Sequence, residues 1–182
     1  DISQAIKTEA DRYIISGLKS LASLEDDDII AIKQKMSNGG KFLLLNSGER
    51  ALEIFPEQLS AYLNKKEETA HMDIEESGLF EGIEFMELRY FNNNQSEKPI
   101  VYEGLFQIKD DENLRRVASG NEHHYARGDD RRKQMLTMKG FPILSIENKG
   151  QVILSEMRTD KGLYDPIPAR LLQNMIMELI NQ

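Results

Sequence analysis

Residues 121–134, NEHHYARGDDRRKQ, gather two of the three histidines, a pair of adjacent aspartates and four basic side chains. Two chemistries suit these residue types. Imidazole and carboxylate together are ligands for zinc or manganese, so His123 or His124 with Asp129 or Asp130 is the candidate metal set. Adjacent side chains diverge in helix and strand alike, so the two histidines are not expected to share one ion. Guanidinium and ammonium groups match oxyanions, so Arg127, Arg131, Arg132 and Lys133 are the candidate binding set for a phosphate or an acidic partner surface. A plainer arrangement accounts for the same letters. Gly120, Asn121 and Gly128 break the chain, and Asp129 or Asp130 caps a helix over 129–139 with the arginines in water beyond. The expectation is an exposed loop leading into a helix, with recognition of an acidic surface as its function.

A second candidate depends on a predicted hairpin of strands 79–91 and 99–109, joined by the polar loop NNNQSEK. Symmetric closure places Glu87 opposite Glu103, with Gln107 and Lys109 further along the same strand face. Like charges directly opposed on a sheet are destabilising, so this pair calls for a compensating cation. Carboxylates beside a Gln-x-Lys strand resemble the Mrr-like branch of the PD-(D/E)xK nucleases. The resemblance covers three or four residues. It implies that an acid and Gln107 help hold magnesium while Lys109 assists the attacking water. A third candidate is a winged helix, with 129–139 reading nucleic acid, 141–157 as the wing, and Arg131, Arg132, Lys133 and Lys139 on phosphates. His71 lies in a polar stretch with no convergent ligand nearby in sequence and reads as a surface histidine.

The elements that must position these residues follow from periodicity. Apolar residues from Ile6 to Leu24 at steps of three and four predict a long first helix over about 2–23. EDDDIIAIKQKMSNGG predicts a second helix, its acids at the positive end and Asn38-Gly39-Gly40 as the stop. KFLLLNSGERALEIF reads as two short strands around Asn46-Ser47-Gly48, followed by a short helix from Pro56. Residues 65–78 read as a surface crossing and 110–118 as a short helix. In the first strand of the 79–91 hairpin the alternation slips at Phe85-Met86, as a bulge would make it do. FPILSIENKGQVILSEM is a hairpin turning at Asn148-Lys149-Gly150. Asp165 and Pro166 open a last helix over about 166–181, with Leu171, Leu172, Met175, Ile176, Leu179 and Ile180 forming a broad apolar face. The expected fold is α+β: an antiparallel sheet built from hairpins, with N- and C-terminal helices packed on it. Residues 1–182 are expected to form a single globular domain.

Composition narrows function by exclusion. The chain has no cysteine, which removes disulfides, thiolate zinc sites, thiol nucleophiles and iron–sulfur clusters. Its net charge is −8, with 18 acids against 10 bases in residues 1–91 and 13 of each in 92–182. No global basic face is present to release phosphate counterions, so nucleic acid is an unexpected partner. No apolar run approaches the roughly 20 residues that span a bilayer. No signal-peptide pattern opens the chain, and a cytoplasmic location is expected. Serine-hydrolase elbows, phosphate loops, dinucleotide fingerprints and zinc-protease helices are missing, and no cofactor is expected. What remains is a non-enzymatic protein-binding module, an adaptor, chaperone-like or assembly component, whose partner is another protein or a second copy of itself. Its helix–strand–helix outline is similar to that of small acidic secretion chaperones. The metal-dependent nuclease is the alternative, followed by the winged-helix binder.

Overall fold

The computed structural model describes residues 2–17, 21–67, 70–75, 78–89, 91, 100–125, 134–159 and 165–181. In chain order the elements are α1 (Ile2–Ile6), β1 (Arg12–Ser16), α2 (Asp26–Ser37), β2 (Lys41–Leu45), α3 (Arg50–Ile54), β3 (Leu59–Glu67) and β4 (His71–Ile74). Two 3-10 turns, Gly78–Phe80 and Phe85–Arg89, lead to β5 (Tyr102–Ile108), β6 (Leu114–Tyr125), β7 (Gln134–Asn148), β8 (Gly150–Ser155) and α4 (Pro166–Asn181).

The eight strands form one sheet in the order β1-β2-β8-β7-β5-β3, with β6 on β7 and β4 on β6. It is a mixed sheet and not the antiparallel one expected, because β1–β2 and β2–β8 pair in parallel. The run KFLLL carries the reason. In β2, Phe42 and Leu44 belong to one buried cluster while Leu43 and Leu45 belong to another, so both faces of the strand are covered. Continuous apolar strands of this kind are the mark of parallel sheets with helices on both sides. The first cluster takes Ile29, Ile32 and Met36 from α2 and Ala51 and Ile54 from α3. The second takes Leu171, Met175 and Leu179 from α4, with Leu79 and Leu88 from the 3-10 segments. The result is three layers, helices on either side of a mixed sheet.

Several expected elements change type, each for a physical reason. The predicted 2–23 helix is interrupted: α1 ends at Ile6 and residues 21–22 are again helical, while Arg12–Ser16 are a strand, because Tyr13 and Ile15 bury on one side of it in register with Phe42 and Leu44 of β2. Long-range pairing outweighs a helical spacing that those same residues also satisfy. The predicted strand 79–91 is two 3-10 turns around Gly82, whose φ is +71°. Its backbone finds partners outside any ladder: Asn174 Nδ2 donates to the carbonyls of Leu79 at 3.0 Å and Glu81 at 2.9 Å, and Ala70 N donates to that of Arg89 at 2.8 Å. The helix expected at 110–118 is instead an Asx turn, with Asn113 N donating to Asp111 at 2.8 Å, followed by β6. The surface crossing at 65–78 contains the end of β3 and all of β4. Residues 121–125 are strand and not loop, and 134–139 are strand and not helix, since β6 and β7 continue as a ribbon to the Tyr125↔Gln134 pair.

The second helix, the 141–157 hairpin with its turn at Lys149 (φ +59°) and the terminal helix are found where the sequence puts them. Asp165 caps α4, accepting from Ile167 N at 2.9 Å. None of the helices among the described residues is long and apolar enough to cross a membrane.

Because α4 closes one face of the sheet through side chains that are wholly buried, Leu171→Ala at 0% exposure is expected to cost about 2–5 kcal/mol. Urea unfolding measures it. A loss under about 1 kcal/mol would mean that α4 does not seal that core.

Candidate functional site

Among the described residues a buried polar cluster sits where β2 ends. Leu45 is followed by Asn46 (φ +54°), Ser47 and Gly48 (φ +59°), a turn that sends the chain into α3. Glycine and asparagine tolerate this left-handed backbone best, which is why they bracket Ser47. Asn46 N still donates to Ser155 O at 2.8 Å, so the turn stays attached to β8.

Glu156 follows β8 and is 1% exposed. Its Oε1 accepts from Ser47 N at 2.8 Å, Ser47 Oγ at 3.0 Å and Gly48 N at 3.0 Å, and its Oε2 accepts from the Tyr62 hydroxyl at 2.8 Å. The Glu156 backbone joins two further strands, donating to Pro142 O at 2.9 Å and accepting from Glu103 N at 3.0 Å. Burial pushes the Glu156 carboxyl above its ordinary range, and the Gly48, Tyr62 and Ser47 donors pull back against that. Burial is also the main cause of the upward shift of the Tyr62 phenol, with the Glu156 charge next. Tyr62 therefore keeps its proton. Its ring is tilted against Phe106, with centroids 5.4 Å apart, and lies over Gly104.

In front of this cluster opens a cleft of about 570 Å³. Ser47, Gly48 and Tyr62 line its inner part, and the exposed Glu49, Asn64 and Lys66 line its outer part. Glu103 also lines it and is held by the Arg158 guanidinium, while Arg50 is paired with Glu53 and donates to Leu24 O. The cleft lies outside the carboxyl ends of β2 and β8, the place where open α/β sheets present ligands. Among the described residues no three histidines or acids are grouped to hold a metal ion.

The residues singled out from the sequence are distributed differently. Glu103 alone among them reaches the cleft. Glu87 is exposed in the second 3-10 turn, its carboxylate accepting from Glu84 N at 2.6 Å, and the strands flanking β5 are β3 and β7. The pairing of Glu87 across from Glu103 is thus corrected, since it needed a strand at 79–91. Gln107 is exposed on β5, and Lys109 donates to Pro56 O at 2.6 Å. The backbones of His123 and His124 pair with Leu136 and Met135 in the β6–β7 ribbon. Arg127, Asp129, Asp130, Arg131, Arg132 and Lys133 lie outside the described residues. Sequence reasoning missed Ser47, Tyr62 and Glu156. The available signal was LLLNSG, a run buried on both faces ending in a turn.

No protein-family model matches the chain, and no curated protein is similar to it in sequence. Among solved structures, a protein from Bacteroides uniformis described as ThuA-like superposes with a TM-score of 0.51 at 14% identity, covering 94% of this chain and 69% of its own. A cytoplasmic protein from Salmonella typhimurium gives 0.49 at 13% identity, over 97% of this chain and 74% of its own. What is shared with the Bacteroides protein at that identity is the fold alone.

Two outcomes check this site. A Cβ on Gly104 would stand 2.1 Å from the Tyr62 hydroxyl oxygen and 2.2 Å from Cζ, so Gly104→Ala must push the phenol off Glu156. The expected loss is about 1–3 kcal/mol in urea unfolding, and a neutral substitution would show that the ring is free to move. The second is a pH dependence. The folded carboxyl of Glu156 titrates above its unfolded value of about 4.5, so its contribution is full below that value and is lost as pH rises through the folded one. The stability deficit of Glu156→Gln should therefore shrink as pH is raised above that value. A deficit that grows would reverse the sign of the shift.

Proposed function

We propose that the chain is a binding module that takes a small polar molecule in the cleft at the end of β2. The observation that carries this reading is the convergence of Ser47, Gly48, Tyr62 and Glu103 on one cavity of about 570 Å³, within the usual size range of ligand pockets. The position at the carboxyl end of the parallel strands supports it. A cytoplasmic location is part of the same proposal and rests on the cysteine-free composition.

The test is a thermal-shift screen with amines, amino acids, sugars, nucleosides and small carboxylates against the parent chain and Asn64→Trp. Asn64 is exposed and lines the cleft, so the indole blocks the cavity without disturbing the core. A ligand at a hundred times its Kd adds about 2.7 kcal/mol, a rise of roughly 5–10 °C for a chain of this size. At least one class should raise the parent Tm and leave Asn64→Trp unchanged. If every compound acts equally on both, the cleft is not a binding site.

A second reading, protein binding, has its own support. Ile14 on the edge strand β1 is 52% exposed, and Ile180 and Met177 of α4 are 52% and 43% exposed. Arg12 of β1 donates to Leu179 O at 2.9 Å, which brings that strand and helix side by side. On this reading a second copy covers the edge, and Ile14→Lys should convert a dimer to a monomer in sedimentation. A parent chain that is already monomeric would remove this reading.

A further inference from the structure

The hydrogen bonding of the buried carboxylate decides what kind of group the cleft can hold, on the reading that the cleft is a ligand site. Oε1 of Glu156 faces two backbone N–H groups, which can only donate, so that oxygen is an acceptor in either protonation state. Oε2 faces the Tyr62 hydroxyl. When Glu156 is ionised, the phenol hydrogen must point inward at Oε2. The Tyr62 oxygen then offers only lone pairs to the cleft.

The charges around that oxygen favour a cation. Glu156, Glu103 and Glu49 all act on the Tyr62 phenol to hold its proton in place. Of the basic groups near them, Arg158 is engaged by Glu103, and Arg50 by Glu53 and the Leu24 carbonyl. Lys66 is exposed on the outer part of β3. The Arg50 Nε is buried without a partner, so the acceptor character of the inner cleft rests on the Tyr62 oxygen and the carboxylates of Glu49 and Glu103.

We propose that the cleft recognises a positively charged hydrogen-bond donor, a primary ammonium or guanidinium group, which donates to the Tyr62 oxygen and is balanced by Glu49. The preference is set by Glu156 from behind. A neutral acid or amide at position 156 can itself donate to Tyr62, which turns the phenol hydrogen outward and makes the inner cleft a donor site for anions.

The test uses the full chain labelled with ¹³C at tyrosine Cζ and follows the Tyr62 resonance by NMR at mildly alkaline pH. The probes are n-propylammonium, propionate and 1-propanol at matched concentrations. In the parent chain, n-propylammonium should shift the resonance saturably and bind about tenfold more tightly than propionate, the factor of one charge-assisted hydrogen bond. Glu156→Gln is isosteric. Ser47 N and Gly48 N hold its oxygen where Oε1 was, so its amide N–H faces Tyr62. In that variant the order should invert, propionate binding more tightly than n-propylammonium. Propionate equal to or tighter than n-propylammonium in the parent would overturn the proposal and leave the ligand-site reading standing. An unchanged order in a folded Glu156→Gln would overturn it too. If none of the three probes moves Tyr62, both the proposal and the cleft as a ligand site fall.

Discussion

A carboxylate with almost no contact with water is expensive unless it is hydrogen-bonded, and Glu156 takes four donors from two other parts of the chain, three on Oε1 and one on Oε2. Two come from backbone N–H groups that only the left-handed turn after β2 turns toward it. One is the Ser47 hydroxyl, and the fourth is a phenol on β3. Its own backbone reaches β5 and the Pro142 carbonyl of β7. One side chain therefore fixes the relative placement of the parallel and antiparallel parts of the sheet. Removing the Tyr62 hydroxyl leaves Oε2 without its donor, so the arrangement favours one geometry over its neighbours.

That geometry presupposes the two-sided core. β2 and β8 are continuous apolar runs because helices cover both of their faces, and their carboxyl ends are left as the place where polar groups can gather. Gly104 completes the arrangement by omission. Having no side chain, it leaves room for the Tyr62 ring and hydroxyl against β5, where even a methyl group would collide.

How much of this was legible depends on the range of the interaction. Elements defined by their own residues were readable: α2 with its acidic first turn, the β7–β8 hairpin with Lys149 at its bend, and α4 opened by Asp165 and Pro166. Elements defined by distant partners were not. Tyr13, Ile14 and Ile15 satisfy a helical spacing until β2 lies beside them, and Leu79 to Leu88 satisfy a strand alternation until Asn174 of α4 takes their carbonyls. The cleft belongs to the second kind. Ser47, Tyr62, Glu103 and Glu156 come from four separate segments and make no motif in one dimension. Glu103 was noticed, but for a partner, Glu87, that lies on another element.

The parallel core also sets a timetable for synthesis. Lys41 pairs with Gln151, 110 positions later, and the α4 residues that cover the second face come later still. While the ribosome is adding the intervening chain, KFLLL has one strand edge open and much of its apolar surface uncovered. Contacts this remote in sequence form slowly, and exposed apolar edges are where nascent chains aggregate. An interrupted translation product ending before β8 would thus contain an intact α2 and β2 and lack the strand that makes them a sheet interior. Quality control of this protein should begin with truncated chains and not with worn-out full-length ones.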